Sequence, residues 1–244
     1  MIFKDDYKKT VDNLNPSTEL TNRLKLNEEN KFMKFSKKKA VIIAAVACMV
    51  FGTTVFAAGN IASYRSWSDG KEESNIEVSR EKAEKIGASL EIPEAFSNGY
   101  SFSYSNECGI EGLDDDGNSM AEGKSFMVTY AKEGSADLFL NIDPTFEPIV
   151  MEEGDICREI SGVNVWYYDH IYKFVPVDYE LTDEDKENLE KPGYEISYGS
   201  DEVVTNNCSG FIFEYESKTY NMLGFDSELT ADEWFGMAEE LLAQ

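Results

Sequence analysis

The chain has 244 residues and a formal net charge of −25, and 42% of its residues are hydrophobic. This composition excludes global disorder, because enough apolar material is present to build a core. The negative charge excludes nucleic acid as a partner of the acidic part of the chain, since phosphate groups would be repelled.

Charge is distributed unevenly along the chain. Residues 1–39 hold ten Lys/Arg and six Asp/Glu, whereas residues 40–59 hold no charged side chain. Residues 60–244 therefore carry a net charge of −29. A solvated acidic surface explains this balance, and attraction to cations or basic partners is the alternative interpretation.

The basic tail, residues 1–39, is too short to bury a core of its own. Apolar residues recur there at helical spacing and Asn15-Pro16 is typical of a helix start, so short amphipathic helices are predicted. Their apolar faces need a partner, which we expect to be a cytoplasmic protein or the anionic inner leaflet. A simple topology signal is the alternative. The candidate contact residues are Tyr7, Leu14, Leu20 and Leu24.

The apolar segment at residues 40–59 has the length of a transmembrane helix. As a helix, its twenty residues extend about 30 Å, the hydrocarbon thickness of a bilayer. Lys37, Lys38 and Lys39 directly precede it, so the positive-inside rule places the N-terminus in the cytoplasm and the acidic domain outside. A cleaved signal peptide is the alternative, because small residues end the apolar run.

The acidic extracellular domain, residues 76–244, follows a linker predicted to be irregular over residues 60–75. Its pattern predicts an α+β fold with a mostly antiparallel sheet and flanking helices. Alternating or continuous apolar residues predict strands at 100–105, 125–130, 137–142, 163–168, 170–175, 210–215 and 218–223. The last six stretches are expected to pair consecutively as three hairpins.

Three helices are predicted in this domain. Ser79 is the expected N-cap of a helix over residues 80–90. Thr182 with Asp185 predicts the start of an acidic helix over residues 183–190. Thr230 and Glu233 form a capping box before the last helix, whose wide apolar stripe should pack on the sheet.

No catalytic pattern is present in the sequence. The single histidine, His170, lies beside Asp169 and is expected to be a turn or core residue. Nucleophile-elbow, zinc-protease and P-loop motifs do not occur, so we expect no enzymatic activity and assign no cofactor or metal. The acidic stretch at residues 114–118 does not have EF-hand spacing and is better explained as a β-turn, although weak calcium binding stays open.

Four cysteines are present, and Cys48 lies within the apolar segment. Cys108, Cys157 and Cys208 belong to the acidic domain, where an extracellular location would allow a disulfide to persist. Three pairings are open, as is the alternative that all three thiols are reduced.

The order of these features resembles that of membrane-anchored anti-sigma-factor-like proteins of low-GC Gram-positive bacteria. The stretches that carry the resemblance are residues 6–9, 12–14 and 16–20 in the tail, and 92–94, 97–100, 172–176, 181–185, 196–200, 229–233 and 237–239 in the acidic domain. The tail lacks the His and paired Cys of zinc-binding anti-sigma factors. The resemblance implies signalling across the membrane, an extracellular domain of unknown function and a sigma factor as cytoplasmic partner.

The sequence therefore predicts a single-pass membrane protein with an extracytoplasmic sensing or binding domain for an unknown ligand. The alternative is an envelope binding module, secreted or anchored, whose N-terminal segment serves only as topology signal or signal peptide.

Overall fold

The computed structural model of the chain describes residues 61, 63–68, 70–114 and 116–243. The basic tail with its four candidate contact residues and the apolar segment at residues 40–59 lie outside the described residues. Within the described ranges, no helix is both long enough and apolar enough to cross a bilayer.

The described part of the chain contains nine strands and three helices. In chain order they are β1 (Ser63–Ser68), α1 (Ile76–Lys85), β2 (Ser101–Leu113), β3 (Ser119–Ala131), β4 (Leu138–Pro144), β5 (Ile156–Ile160), β6 (Val163–Val175), α2 (Asp183–Asn188), β7 (Tyr194–Tyr198), β8 (Val204–Tyr215), β9 (Lys218–Phe225) and α3 (Ala231–Leu242).

All nine strands join one curled sheet in the order β1-β2-β3-β4-β9-β8-β6-β5. β7 pairs with β6 beyond the end of β5, and this is the single parallel pair among the described strands. Short hairpin turns explain the antiparallel ladders: Gly134 at φ 78° closes β3–β4 and Glu216 at φ 51° closes β8–β9. The predicted mostly antiparallel sheet with helices is confirmed, with strand residues far outnumbering helical ones.

Side chains alternate between two faces of this sheet. The first face packs against α1, α3 and the segment between α1 and β2, and it holds the larger apolar core. Its most buried members include Phe126, Tyr130, Phe211, Tyr220 and Trp234. The second face holds a smaller apolar cluster mixed with polar side chains.

The predicted capping box of Thr230 with Glu233 is confirmed, as is the predicted helix start at Thr182. Thr230 Oγ1 accepts from the Glu233 amide at 3.4 Å, and the Glu233 carboxylate accepts from the Thr230 amide at 2.8 Å. The buried stripe of α3 follows, and Trp234 Nε1 donates to Ser209 Oγ at 3.2 Å. The Thr182–Asp185 box starts α2, which ends two residues earlier than predicted.

The predicted N-cap at Ser79 is wrong. Asn75 caps α1, because its Oδ1 accepts from the amides of Glu77 and Val78. Ser79 is buried inside the helix, where its hydroxyl lies 2.8 Å from that of Ser105 on β2.

The predicted hairpin of residues 163–168 with 170–175 is also wrong. These residues form one continuous strand, β6, since Asp169 and His170 stay extended opposite Ser209 and Cys208 of β8. The predicted irregular linker likewise contributes structure, because residues 63–68 form the edge strand β1 paired with β2.

Candidate functional site

A strap, residues 145–155, connects β4 to β5 across the second face of the sheet. Thr145 and Thr219 hydroxyls lie 3.1 Å apart, and the Ile149 amide donates to Glu214 Oε1 at 2.7 Å. Ile149 and Met151 pack against the apolar cluster of this face. The strap therefore contacts β9, β8 and β6 on the second face and covers part of it, while Glu214 beside it stays exposed.

A polar row crosses the second face, defined by Ser125, Asp143, Thr219 and Glu214 on four neighbouring strands. The strap contacts Thr219 and Glu214 of this row. The register pairs Asp143 with Thr219 and Thr219 with Glu214, and the β3–β4 ladder continues from Phe126↔Ile142 to Ser125 beside Asp143. Strands lie about 4.8 Å apart, so the Cα atoms of Asp143 and Glu214 are separated by about 10 Å.

Asp143 is the most unusual member of the polar row, because its carboxyl group is completely buried. Neither carboxylate oxygen has a hydrogen-bond partner of normal geometry within the described residues. Burial raises the pKa of Asp143 to about 7, and the nearby Ser125 hydroxyl and the charge of Lys218 offset this only in part. The site therefore holds a carboxyl group whose charge is poorly compensated.

Two further buried polar side chains on this face keep an atom without a partner among the described residues. These atoms are Asn106 Oδ1 on β2 and Asn141 Nδ2 on β4, and each residue is at most 3% exposed. Asn141 stands two positions before Asp143 on β4 and so shares its face. A buried group without a partner costs about 1–3 kcal/mol, so native proteins usually pair it with protein, water or ligand.

A groove of about 320 Å³ opens beside the strap and is lined by Pro148, Ile149, Gly162, Val163, Asn164, Trp166 and Glu214. Glu214 also belongs to the polar row, so the groove meets one end of that row. Trp166 and Glu214 both line the groove, and aromatic and carboxylate side chains are the kinds of residue that recognise organic cations in proteins.

A histidine clamp, formed by Asp155, His170 and Glu195, lies on the same face farther along β6. His170 Nε2 is 2.9 Å from Asp155 Oδ1, and Nδ1 is 3.8 Å from Glu195 Oε1. Burial disfavours the imidazolium, but hydrogen bonds to Asp155 and Glu195 outweigh it and raise the pKa of His170 to about 9. The clamp ties the end of the strap to β6 and β7.

The surroundings of the clamp link it to the other buried polar groups. The Tyr168 ring lies 5.1 Å from that of His170, and the Tyr168 hydroxyl donates to Asn221 Oδ1 at 2.7 Å.

Cys208 faces His170 across the ladder, but burial raises the pKa of its thiol well above the ordinary value. Cys208 is therefore a thiol unsuited to nucleophilic attack.

The structure also describes the cysteines, the acidic turn and the possible metal ligands that the sequence analysis considered. Cys157 is an exposed free thiol and Cys208 a buried one, and no disulfide joins either of them to Cys108. The β-turn predicted at residues 114–118 is confirmed by the Gly117 amide, which donates to the Asp114 carbonyl at 2.9 Å. Within the described ranges, no group of His, Cys, Asp and Glu side chains is arranged to hold a metal ion.

The candidate contact residues of the tail, Tyr7, Leu14, Leu20 and Leu24, are not brought into this site, because they lie outside the described residues. Sequence reasoning missed the polar row. A signal was nevertheless present, since Asn141 and Asp143 alternate with Leu140 and Ile142, which places two polar side chains on one face of a strand.

Comparison with known proteins found no relative: no protein-family model matches the chain, and no curated protein and no solved structure is significantly similar to it. The described architecture is a curled sheet with an apolar face under helices and a second face of mixed apolar and polar side chains that is crossed by a strap.

Proposed function

We propose that the chain is a single-pass membrane protein whose acidic domain lies outside the cell and binds or senses a ligand. The charge-free segment at residues 40–59 and the lysines before it support the anchor and its orientation. The basic tail would then carry the signal to a cytoplasmic partner, for which the sequence resemblance suggests a sigma factor.

One observation carries the binding role, namely the buried Asp143 carboxyl oxygens and the Asn141 amide nitrogen, which lack partners among the described residues of the second face. A face that served only to pack the strap would be more stable with apolar side chains, because each unpaired group lowers stability. Proteins retain such locally unfavourable residues mainly at functional sites. We therefore assign ligand binding to the second face and its strap.

A binding role without catalysis agrees with the chemistry of the described residues. His170 is held between two carboxylates, and the Cys208 thiol opposite it is buried and protonated. No other imidazole exists in the sequence to activate a nucleophile. The proposed activity is consequently recognition rather than bond breaking.

The signalling part of this proposal is tested with the full-length protein and the sigma factors of a Gram-positive host. We expect a sigma factor to co-purify with the wild type and its recovery to fall at least tenfold in the Leu20→Ala/Leu24→Ala double variant. The matched control, Thr21→Ala/Asn22→Ala, changes two adjacent polar positions of the tail and should retain the partner. Equal recovery from both double variants would favour the envelope binding module, with the tail acting only as a topology signal.

A further inference from the structure

We propose that the second face binds a small linear amine with two or more ammonium groups, which enters through the groove and reaches Asp143. This inference deepens the proposed function and rests on it only for the idea that the domain binds a ligand.

The unpaired atoms indicate which hydrogen-bonding groups and which charge the ligand carries. Both oxygens of the Asp143 carboxylate are buried hydrogen-bond acceptors, and Asn141 Nδ2, two positions earlier on β4, is a buried donor without a partner among the described residues. A primary ammonium group supplies three donors and a full positive charge, whereas a neutral alcohol supplies one donor. An ammonium beside Asp143 would also stabilise the ionised carboxylate that burial now disfavours.

The groove provides the entrance and a second contact for a cation. Trp166 contributes an aromatic ring, and the Glu214 carboxylate is exposed at the lining. A cation near an aromatic face and a carboxylate is stabilised by both. The surrounding domain is strongly acidic and would attract such a ligand from solution.

The spacing of the two carboxylates favours a chain with two charges over a single ammonium. Asp143 and Glu214 lie in one row with Thr219 between them, about 10 Å apart at the backbone. An extended aliphatic chain with terminal amines spans this distance, and the Thr219 hydroxyl lies beneath its middle.

Movement of the strap gives access to Asp143. The Ile149 amide donates to Glu214 Oε1, and the Thr145 hydroxyl contacts Thr219, so two of the strap's contacts fall on members of the polar row. Outside the row, the Tyr64 hydroxyl donates to Glu147 Oε2 at 3.2 Å and the Gly193 amide donates to Glu152. A ligand that takes the two positions on the polar row would displace the strap locally, while the histidine clamp keeps its far end attached.

The test titrates spermidine into the full-length protein in detergent at constant ionic strength and follows the unfolding temperature. We expect a saturable rise for the wild type, since a ligand that binds only the folded state must stabilise it. Asp143→Asn should abolish the rise, and Glu214→Gln should weaken the apparent affinity at least tenfold. Glu214 is exposed, so that variant reports binding even if Asp143→Asn fails to fold.

Two controls separate the site from the acidic surface. Asp201→Asn removes an exposed carboxylate elsewhere and should respond like the wild type, and a neutral diol of similar length should have no effect. Equal spermidine shifts in all variants, or no saturable shift in the wild type, would overturn the inference. The second outcome would indicate that water alone fills the polar row. Neither outcome affects the partner-recovery experiment, which uses no amine, so failure of the inference and failure of the proposed function are distinguishable.

Discussion

Asp143 shows how one residue opposes the stability of the fold that contains it. Its carboxyl group lies at the centre of the sheet, and its folded pKa of about 7 is far above the ordinary value of 3.8. The unfolded chain releases this proton near pH 4, whereas the folded chain holds it until about pH 7. The stability of the folded state therefore falls as the pH rises through this window and is lower, by a constant amount, above it.

Asp143→Asn should raise the free energy of unfolding by about 1–4 kcal/mol at pH 8 and by little at pH 3. Asparagine cannot ionise, so the variant escapes the cost of a buried charge, although its amide still lacks partners. Denaturant unfolding at several pH values measures the difference from wild type. A variant less stable than wild type at pH 8 would contradict the assignment of Asp143 as a poorly compensated carboxyl.

Titration of His170 changes the stability of the fold in a different pH range, because its protonated form is the one that the folded state stabilises. Its folded pKa is raised from 6.5 to about 9, so its contribution to stability is complete below pH 6.5 and is lost as the pH rises through about 9. His170→Gln should lower the free energy of unfolding by about 1–3 kcal/mol at pH 6, and the difference from wild type should shrink by pH 10. The lysines and thiols are the same in both proteins, so their titration cancels when the unfolding free energy of the variant is subtracted from that of the wild type. A difference independent of pH would mean that His170 acts by packing alone.

At the scale of elements, the close approach of β8 and β9 depends on Gly210. An ideal Cβ at this position would collide with the backbone carbonyl of Met222 and lie 2.9 Å from the Tyr168 hydroxyl. The missing side chain allows Tyr168 to reach across β8 to Asn221 on β9. Gly236 in α3 is the opposite case, because a Cβ there would meet no atom within 4 Å.

Gly210→Ala should therefore destabilise the protein by about 3 kcal/mol, since backbone atoms cannot move aside without breaking the ladder. Gly236→Ala should stabilise it by about 0.5–1 kcal/mol through helix propensity alone. Thermal or denaturant unfolding of the matched pair measures both effects. Equal effects of the two substitutions would show that β8 and β9 do not approach as described.

Elements whose signals are local were predictable from the sequence. The boxes of Thr182 with Asp185 and of Thr230 with Glu233 join residues only three positions apart and fix helix starts regardless of tertiary context. The turn at Gly134 is local in the same way. The single strand β6 was not predictable, because Asp169-His170 is typical of a turn until β8 pairs with both residues.

The candidate site could be predicted from the sequence even less than the fold could. The histidine clamp joins Asp155, His170 and Glu195, which are separated by 15 and 25 positions and meet only through the strap and the parallel strand β7. Asp143 lies one residue beyond the strand predicted over residues 137–142, so its place on the sheet was not predicted. In the structure β4 extends to Pro144, and the Asp143 side chain is completely buried.

At the scale of the whole molecule, the central claim is that the acidic domain lies outside the cell and is tethered by one span. The net charge of −29 beyond residue 59, the charge-free segment before it and the preceding lysines all support this arrangement. The binding role of the second face and the signalling role of the tail both depend on it. If the N-terminal segment is cleaved instead, the domain is a secreted binding module and no signal passes to the cytoplasm.

The most direct measurement is protease treatment of intact Gram-positive cells that express the full-length protein, followed by mass spectrometry of what stays in the membrane. We predict a protected fragment that begins at Met1 and ends within residues 60–75, with the acidic domain removed. A mature protein that already begins near residues 58–59 before treatment would contradict the anchor, and an acidic domain protected until the cells are lysed would contradict its location outside.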